Sequence, residues 1–172
     1  MKPGAGKRKG SSFERDVSRA LSLWITNGKL EDCLWRSAMS GGRATAARKK
    51  GSVVRQAGDI TAVAPEGHVL TDHWYIECKF YKDFEIASML IANTGKLASF
   101  WNIARHQSAH HKKFPMLIFK SNRMPVLVIV SPGTLEQFID DTKIGVPTVI
   151  KPGAYDIWHF DALMQTTWTR AV

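Results

Sequence analysis

The sequence predicts an α/β domain. An early helix, a three-stranded meander, a second long helix and two further strands would build a central mixed sheet flanked by helices. Three observations carry that reading. Apolar residues recur at helical spacing in two separate stretches, "SSFERDVSRALSLW" and "GKLASFWNIARHQSAHHKK". Two runs, "FPMLIFK" and "MPVLVIVSP", are continuously apolar over strand length, as in strands covered on both faces. Between the helices lies "YIECKF", residues 75–80. In a strand it would put Ile76, Cys78 and Phe80 on one face and Tyr75, Glu77 and Lys79 on the other.

The elements follow in order. The first helix carries Phe13, Val17, Ala20, Leu21 and Trp24 on one stripe. Ser11 and Glu14 have the form of a capping box at its start, and Asn27-Gly28 stops it. "CLWRSAM" (33–39) reads as a short strand, followed by the glycine-rich basic loop "SGGRATAARKKG". "VVRQAGDITAVAP" reads as a second strand with Asp59 inside it, ending at Pro65. "HVLTDHWYIECKFY" is the third, entered through a hairpin around "EGH". In the second long helix Leu97, Phe100, Trp101, Ala104 and Ser108 share a face, and the two apolar strands follow. "TLEQFIDD" suggests a short helix, and "VPTVIK" and "YDIWHFDALM" are pieces that could be added to an edge. No internal repeat or linker divides the chain. A single domain is expected over 11–172, with its core at about 11–130, a C-terminal extension at about 131–172 and a flexible basic arm at 1–10.

Composition narrows the function. The chain has 172 residues, 44% hydrophobic and 23% charged, which fits a packed globular domain. No apolar run approaches the roughly 18 residues that span a bilayer, and no apolar stretch follows the basic start as in a secretory signal. Two cysteines, Cys33 and Cys78, do not make a disulfide framework. A reducing, cytoplasmic location is expected. The net charge of +9 is unevenly placed. Between Cys33 and Gly58 there is no acid, but there are Arg36, Arg43, Arg48, Lys49, Lys50 and Arg55, and the N-terminal arm adds Lys7, Arg8 and Lys9. Such clustering points to a polyanion, of which nucleic acid is the usual one. His106 and His110 stand one turn apart without a cysteine or acid on that helix, and are read as a solvated face leaning toward DNA.

The acid and lysine of "YIECKF" need an explanation beyond a surface ion pair, which is worth about 0–1 kcal/mol and needs no apolar flanks. Asp59 and Glu77, on adjacent strands, can supply oxygen ligands to a hard divalent ion such as Mg²⁺, with Mn²⁺ as a substitute. Such an ion neutralises charge and helps deprotonate water in phosphodiester cleavage. Lys79, on the same face as Glu77, can orient the attacking water or stabilise developing negative charge.

With "GD" at 58–59 and "ECK" at 77–79, the chain resembles the PD-(D/E)xK nucleases, whose core has the same helix, three-strand, helix, strand order. Gly58 stands where that pattern has proline. The resemblance implies a restriction-endonuclease-like fold. A closer resemblance, over residues 10 to about 130, is to the archaeal-type Holliday junction resolvases within that superfamily. It rests on "GSSFERDVSRAL" and "WRSAMSGGRA", and a phage-encoded member is one reading. The resemblance implies that Glu14 is a further acid at the metal site and that Ser40 lies in the loop meeting the scissile strand. It implies phosphate contacts for Arg36 and Arg43. The spacing from Asp59 to Glu77, eighteen residues, and the basic insert at 44–55 are longer than usual in those resolvases. The expected activity is paired nicking of a four-way DNA junction by a homodimer, since two matched cuts need two sites. Two alternatives stand beside it. One is a nuclease of the same type acting in restriction, repair or end processing. The other is a non-catalytic, structure-selective DNA-binding protein.

Overall fold

The computed structural model describes residues 5–37, 57–140 and 154–169. Helix α1 (Ala5–Ile25) is followed by short strands β1 (Leu34–Arg36) and β2 (Ile60–Ala62), and by helix α2 (His68–Thr71). Then come β3 (Trp74–Tyr81), α3 (Ile86–Ala92), α4 (Gly95–His110), β4 (Phe114–Ser121) and β5 (Leu127–Val130). The last part holds β6 (Ile139–Asp140), β7 (Asp156–His159), α5 (Phe160–Leu163) and β8 (Thr167–Trp168). The central sheet is four-stranded and mixed, in the order β3-β4-β5-β7. The pair β3-β4 is parallel, and the two pairs beyond it are antiparallel. Helices cover both faces, as expected of a restriction-endonuclease-like core.

Strand alternation distributes the core. Ile76, Cys78, Met116, Ile118, Val128 and Val130 pack against Phe13, Val17 and Leu21 of α1. The intervening residues Leu117, Phe119, Ile129 and Ile157 pack on the other face with Met89, Leu97, Ala98 and Trp101 of α3 and α4. Both helical stripes are therefore as the sequence spacing predicts. Asn27 and Gly28 take positive φ values of 51° and 81°, and Gly28 N–H returns to Leu23 C=O at 2.7 Å, closing α1 as expected.

Several elements differ from expectation. Helix α1 begins at Ala5, so Ser11 and Glu14 lie inside it and form no cap; the lysines and arginine before them are good helix formers. Residues 65–71 are helical turns rather than the entry to a strand. Pro65 starts a 3-10 turn, a position its fixed φ and missing N–H suit, and β3 begins only at Trp74. The three-stranded meander is divided: β1 and β2 form their own antiparallel ribbon, while β3 ladders with β4. Helix α3 was not expected; Asn93, with φ 51°, ends it in the left-handed conformation. "TLEQFIDD" gives a 3-10 turn at Leu135–Gln137 and then β6, which pairs with β8. "YDIWHFDALM" does add to an edge, as β7 beside β5, before turning into α5. "VPTVIK" lies outside the described residues.

The β1-β2 ribbon meets β3 at Gly58-Asp59. Asp59 stands just before β2 and not inside the strand as the sequence suggests, because its backbone divides between two partners: its C=O accepts Ser37 N–H and its own N–H donates to Ile76 C=O, both at 2.7 Å. Gly58 has φ +84°, and a Cβ there would lie 2.4 Å from the Ile76 carbonyl oxygen. Proline, locked near −65°, cannot take this conformation, so Gly58 is required by the approach. Gly58→Ala is expected to destabilise the protein by about 2 kcal/mol or more, from left-handed strain together with a backbone clash. Urea unfolding checks this; a loss under about 0.5 kcal/mol would contradict the account.

Candidate active site

The open edge of β3 is where the chemistry-bearing residues gather. In a strand, successive backbone groups point to alternate edges, and on the side away from β4 the Ile76 C=O and Cys78 N–H are presented outward. Asp59 takes both. Its backbone N–H meets Ile76, and its Oδ2 accepts Cys78 N–H at 2.9 Å. The Asp59 carboxylate is thereby held beside Glu77 and Lys79 although it comes from the bend that leads into β2. Lys79 Nζ donates to Glu77 Oε1 and lies 3.7 Å from Asp59 Oδ2. Tyr75 Oη donates to the other Glu77 oxygen at 3.2 Å, and its ring stacks on His111 at 5.9 Å. The same-face arrangement expected for Tyr75, Glu77 and Lys79 is thus present. Tyr75 was given no role from the sequence, although its place two residues before Glu77 was the available signal.

Asp59 is buried, at 7% exposure, and its carboxyl is pushed up to about 7. Burial is the largest cause, and the Glu77 charge adds to it; Lys79 and the Cys78 N–H act in the opposite direction, and Glu14 raises it slightly. Burial also acts to lower the Lys79 ammonium, but Glu77 and then Asp59 outweigh it, so the group is raised and stays charged. One ammonium therefore faces two carboxylates in a half-buried setting. That donor set suits a divalent cation, which commonly takes one or two carboxylates and completes its shell with water and phosphate. Asp59 and Glu77 are the residues that could hold it. Among the described residues no group of three His, Cys, Asp or Glu is placed to hold a metal. Glu14 accordingly does not join the pair as a third close donor; its Oε2 accepts Arg36 Nε–H at 2.9 Å, across from α1 to β1.

The remaining expected site residues separate. Arg36 is half-buried in that ion pair with Glu14. Lys9 is exposed, with Nζ 5.8 Å from the Phe80 ring centre. Lys7 and Arg8 fall in the first turns of α1, and their side chains are outside those described. Ser40, Arg43, Arg48, Lys49, Lys50 and Arg55 lie outside the described residues. Cys33 and Cys78 are both buried free thiols, and burial pushes Cys78 well up, so its side chain belongs to the core while its N–H serves Asp59. His106 and His110 are exposed. No helix among the described residues is long and apolar enough to cross a membrane.

With the fold and this cluster in place, comparison with known families is decisive about class. The family model described as "Phage putative PDDEXK endonuclease" matches residues 5–164, nearly the whole chain. The chain belongs to that phage family of PD-(D/E)xK-type endonucleases, and the family implies DNA as substrate. No curated protein and no solved structure matches.

The Asp59 shift has a consequence for stability. A carboxyl raised in the folded state to about 7, from 3.8, contributes stability that is fully present below pH 3.8 and lost as pH rises through 7. Metal-free Asp59→Asn is therefore expected to melt higher than the parent at pH 8, with the gap closing toward pH 5. Paired thermal melts over that range, without divalent ions, check the sign; a gap that widens on acidification contradicts it.

Proposed function

We propose that the protein is a metal-dependent DNA endonuclease that resolves four-way junctions by paired nicks. The observation that supports the chemistry is the convergence of Asp59, Glu77 and Lys79 at the open edge of β3. The preference for junctions is supported by the resemblance of "GSSFERDVSRAL" and "WRSAMSGGRA" to the archaeal-type resolvases. The basic stretch from Arg36 to Arg55 suits a phosphate backbone read without base specificity.

Mg²⁺, or Mn²⁺ in its place, would supply charge neutralisation and a more acidic water at the scissile phosphate. Asp59 and Glu77 would hold it through carboxylate oxygens. Lys79, kept protonated by those carboxylates, is a donor and not a base; it would hydrogen-bond the attacking water or a phosphate oxygen as negative charge develops. Tyr75 donates to the second Glu77 oxygen and would help orient this carboxylate. Two matched cuts in one junction would be made by a two-fold homodimer with one such site per protomer.

The test is cleavage of a labelled four-way junction beside linear duplex of the same sequence, with Mg²⁺, by wild type and Asp59→Asn. Symmetric cuts confined to the junction, reduced about a hundredfold or more in the variant, are expected. Equal cutting of linear duplex would keep the active site and remove the junction preference. Binding of the junction without cutting would replace the nuclease with a structure-selective binding protein.

A further inference from the structure

The β1-β2 ribbon has one face on α1 and one face turned away from it. Leu34 and Ile60 are buried in the α1 cluster, and Arg36 reaches Glu14 on the same helix. Alternation puts Trp35 on the opposite face. The register sets Trp35 directly across from Thr61, and directly opposite residues in an antiparallel pair share a face. Asp59 and Val63 stand two residues to either side of Thr61, just before and just after β2, and the Asp59 C=O takes the Ser37 N–H next to Arg36. Trp35 is 49% exposed and Val63 60% exposed, so two apolar side chains are left uncovered on a ribbon whose strand β2 follows directly on the buried Asp59. Two residues of strand span about 7 Å, close to one nucleotide step.

The charge of the sequence that joins β1 to β2 narrows the choice of partner. From Leu34 to Gly58 the chain carries six lysines and arginines and no acid. A hydrophobic peptide partner gains nothing from that balance, whereas a polyanion with flat apolar rings is matched by both features. Stacking on an exposed aromatic beside a basic groove is the general means of holding unpaired bases.

Resting on the endonuclease reading above, we infer that Trp35 is a stacking platform for an unpaired nucleobase about one nucleotide from the cut phosphate. The ribbon face of Trp35 and Thr61 thereby favours branched or frayed DNA over continuous duplex. In a continuous duplex the adjoining base is stacked on its neighbours and is not offered to the indole. At a branch point or fork it can leave the stack at lower cost, and Trp35 then replaces the lost neighbour. The substrate preference would thus be set beside the catalytic carboxylate, by a residue that takes no part in bond cleavage.

The experiment measures binding directly, so that it does not depend on cutting. Asp59→Asn and the double variants Asp59→Asn/Trp35→Ala and Asp59→Asn/Trp35→Phe are titrated without divalent ions. The probes are a forked DNA with 2-aminopurine as the first unpaired base and a fully paired duplex of the same sequence. Trp35→Ala is expected to weaken fork binding about 5- to 150-fold and to abolish the fluorescence change at the unpaired 2-aminopurine. Duplex binding should stay within about twofold, and Trp35→Phe should retain most fork binding. Equal losses on fork and duplex, or no loss on either, would overturn the stacking role while leaving the nuclease reading intact. If the Trp35-containing protein binds neither DNA, the stacking inference fails, and the nuclease reading is decided separately by cleavage of the four-way junction with Mg²⁺. Melting of each variant near that of its parent shows that a loss is not one of folding.

Discussion

The structure depends on how Asp59 occupies the open edge of β3. This strand is at the border of the central sheet, and a border strand presents N–H and C=O groups that must be paired or covered. Asp59 does so with one residue: its N–H meets Ile76 and its carboxylate meets Cys78. Edge closure and site assembly are therefore the same contact. The arrangement demands the close approach of Gly58 to the Ile76 carbonyl, which no residue with a Cβ can make without movement. It also has a cost. A buried carboxylate beside Glu77 is held in place by bonds that do not fully offset its desolvation and repulsion, and the carboxyl pushed up to about 7 is the residue of that imbalance.

The two faces of β3 divide the work. Ile76 and Cys78 anchor the strand to α1, while Glu77 and Lys79 stand on the other side. Movement of α1 would therefore shift the strand that carries Glu77 and Lys79, and α1 is itself held from the C-terminal part of the chain. Trp24 Nε1 donates to the Thr166 carbonyl at 3.1 Å, and its ring meets Trp168 edge-on at 4.9 Å. Strand β7 covers the β5 edge with the buried Ile157 and Trp158. The region beyond residue 131, which has no chemical motif, thus holds the far edge of the sheet and the outer end of α1.

Legibility followed the physical range of the signal. Periodicity identified α1, α4, β4 and β5 because their patterns run over two turns or more, or over a whole buried strand. It placed Glu77 and Lys79 on one face because alternation is a local property of a strand. It misassigned 65–71, where "HVLT" is apolar enough for a strand but Pro65 and the packing of Gly67 against Cys33 favour helical turns. It missed α3, whose short "IASMLIA" has too few turns to show a stripe. The role of Tyr75 and the meeting of Glu14 with Arg36 were not legible, since each depends on where another side chain stops in space. Gly58 was visible as a departure from a motif, but its reason lies in a backbone contact eighteen residues away, at Ile76.

Lys79 shows why a lysine, and not a neutral donor, stands on this strand. In the protein alone its ammonium is the counter-ion of Glu77 and Asp59, occupying the position from which both carboxylates are neutralised. Without it, two acids would face each other with only backbone and hydroxyl donors for relief, and the site would be less stable still. Lys79 also lies 5.5 Å from the centre of the Phe100 ring, a face that tolerates a cation as it shifts. Were a divalent cation to take these carboxylates, the ammonium would lose its partners but not its charge. A phosphate oxygen arriving at the same edge would then be its acceptor on the proposed function. On the proposed function, the residue that neutralises the two carboxylates in the protein alone would thereby be the one made available to the substrate.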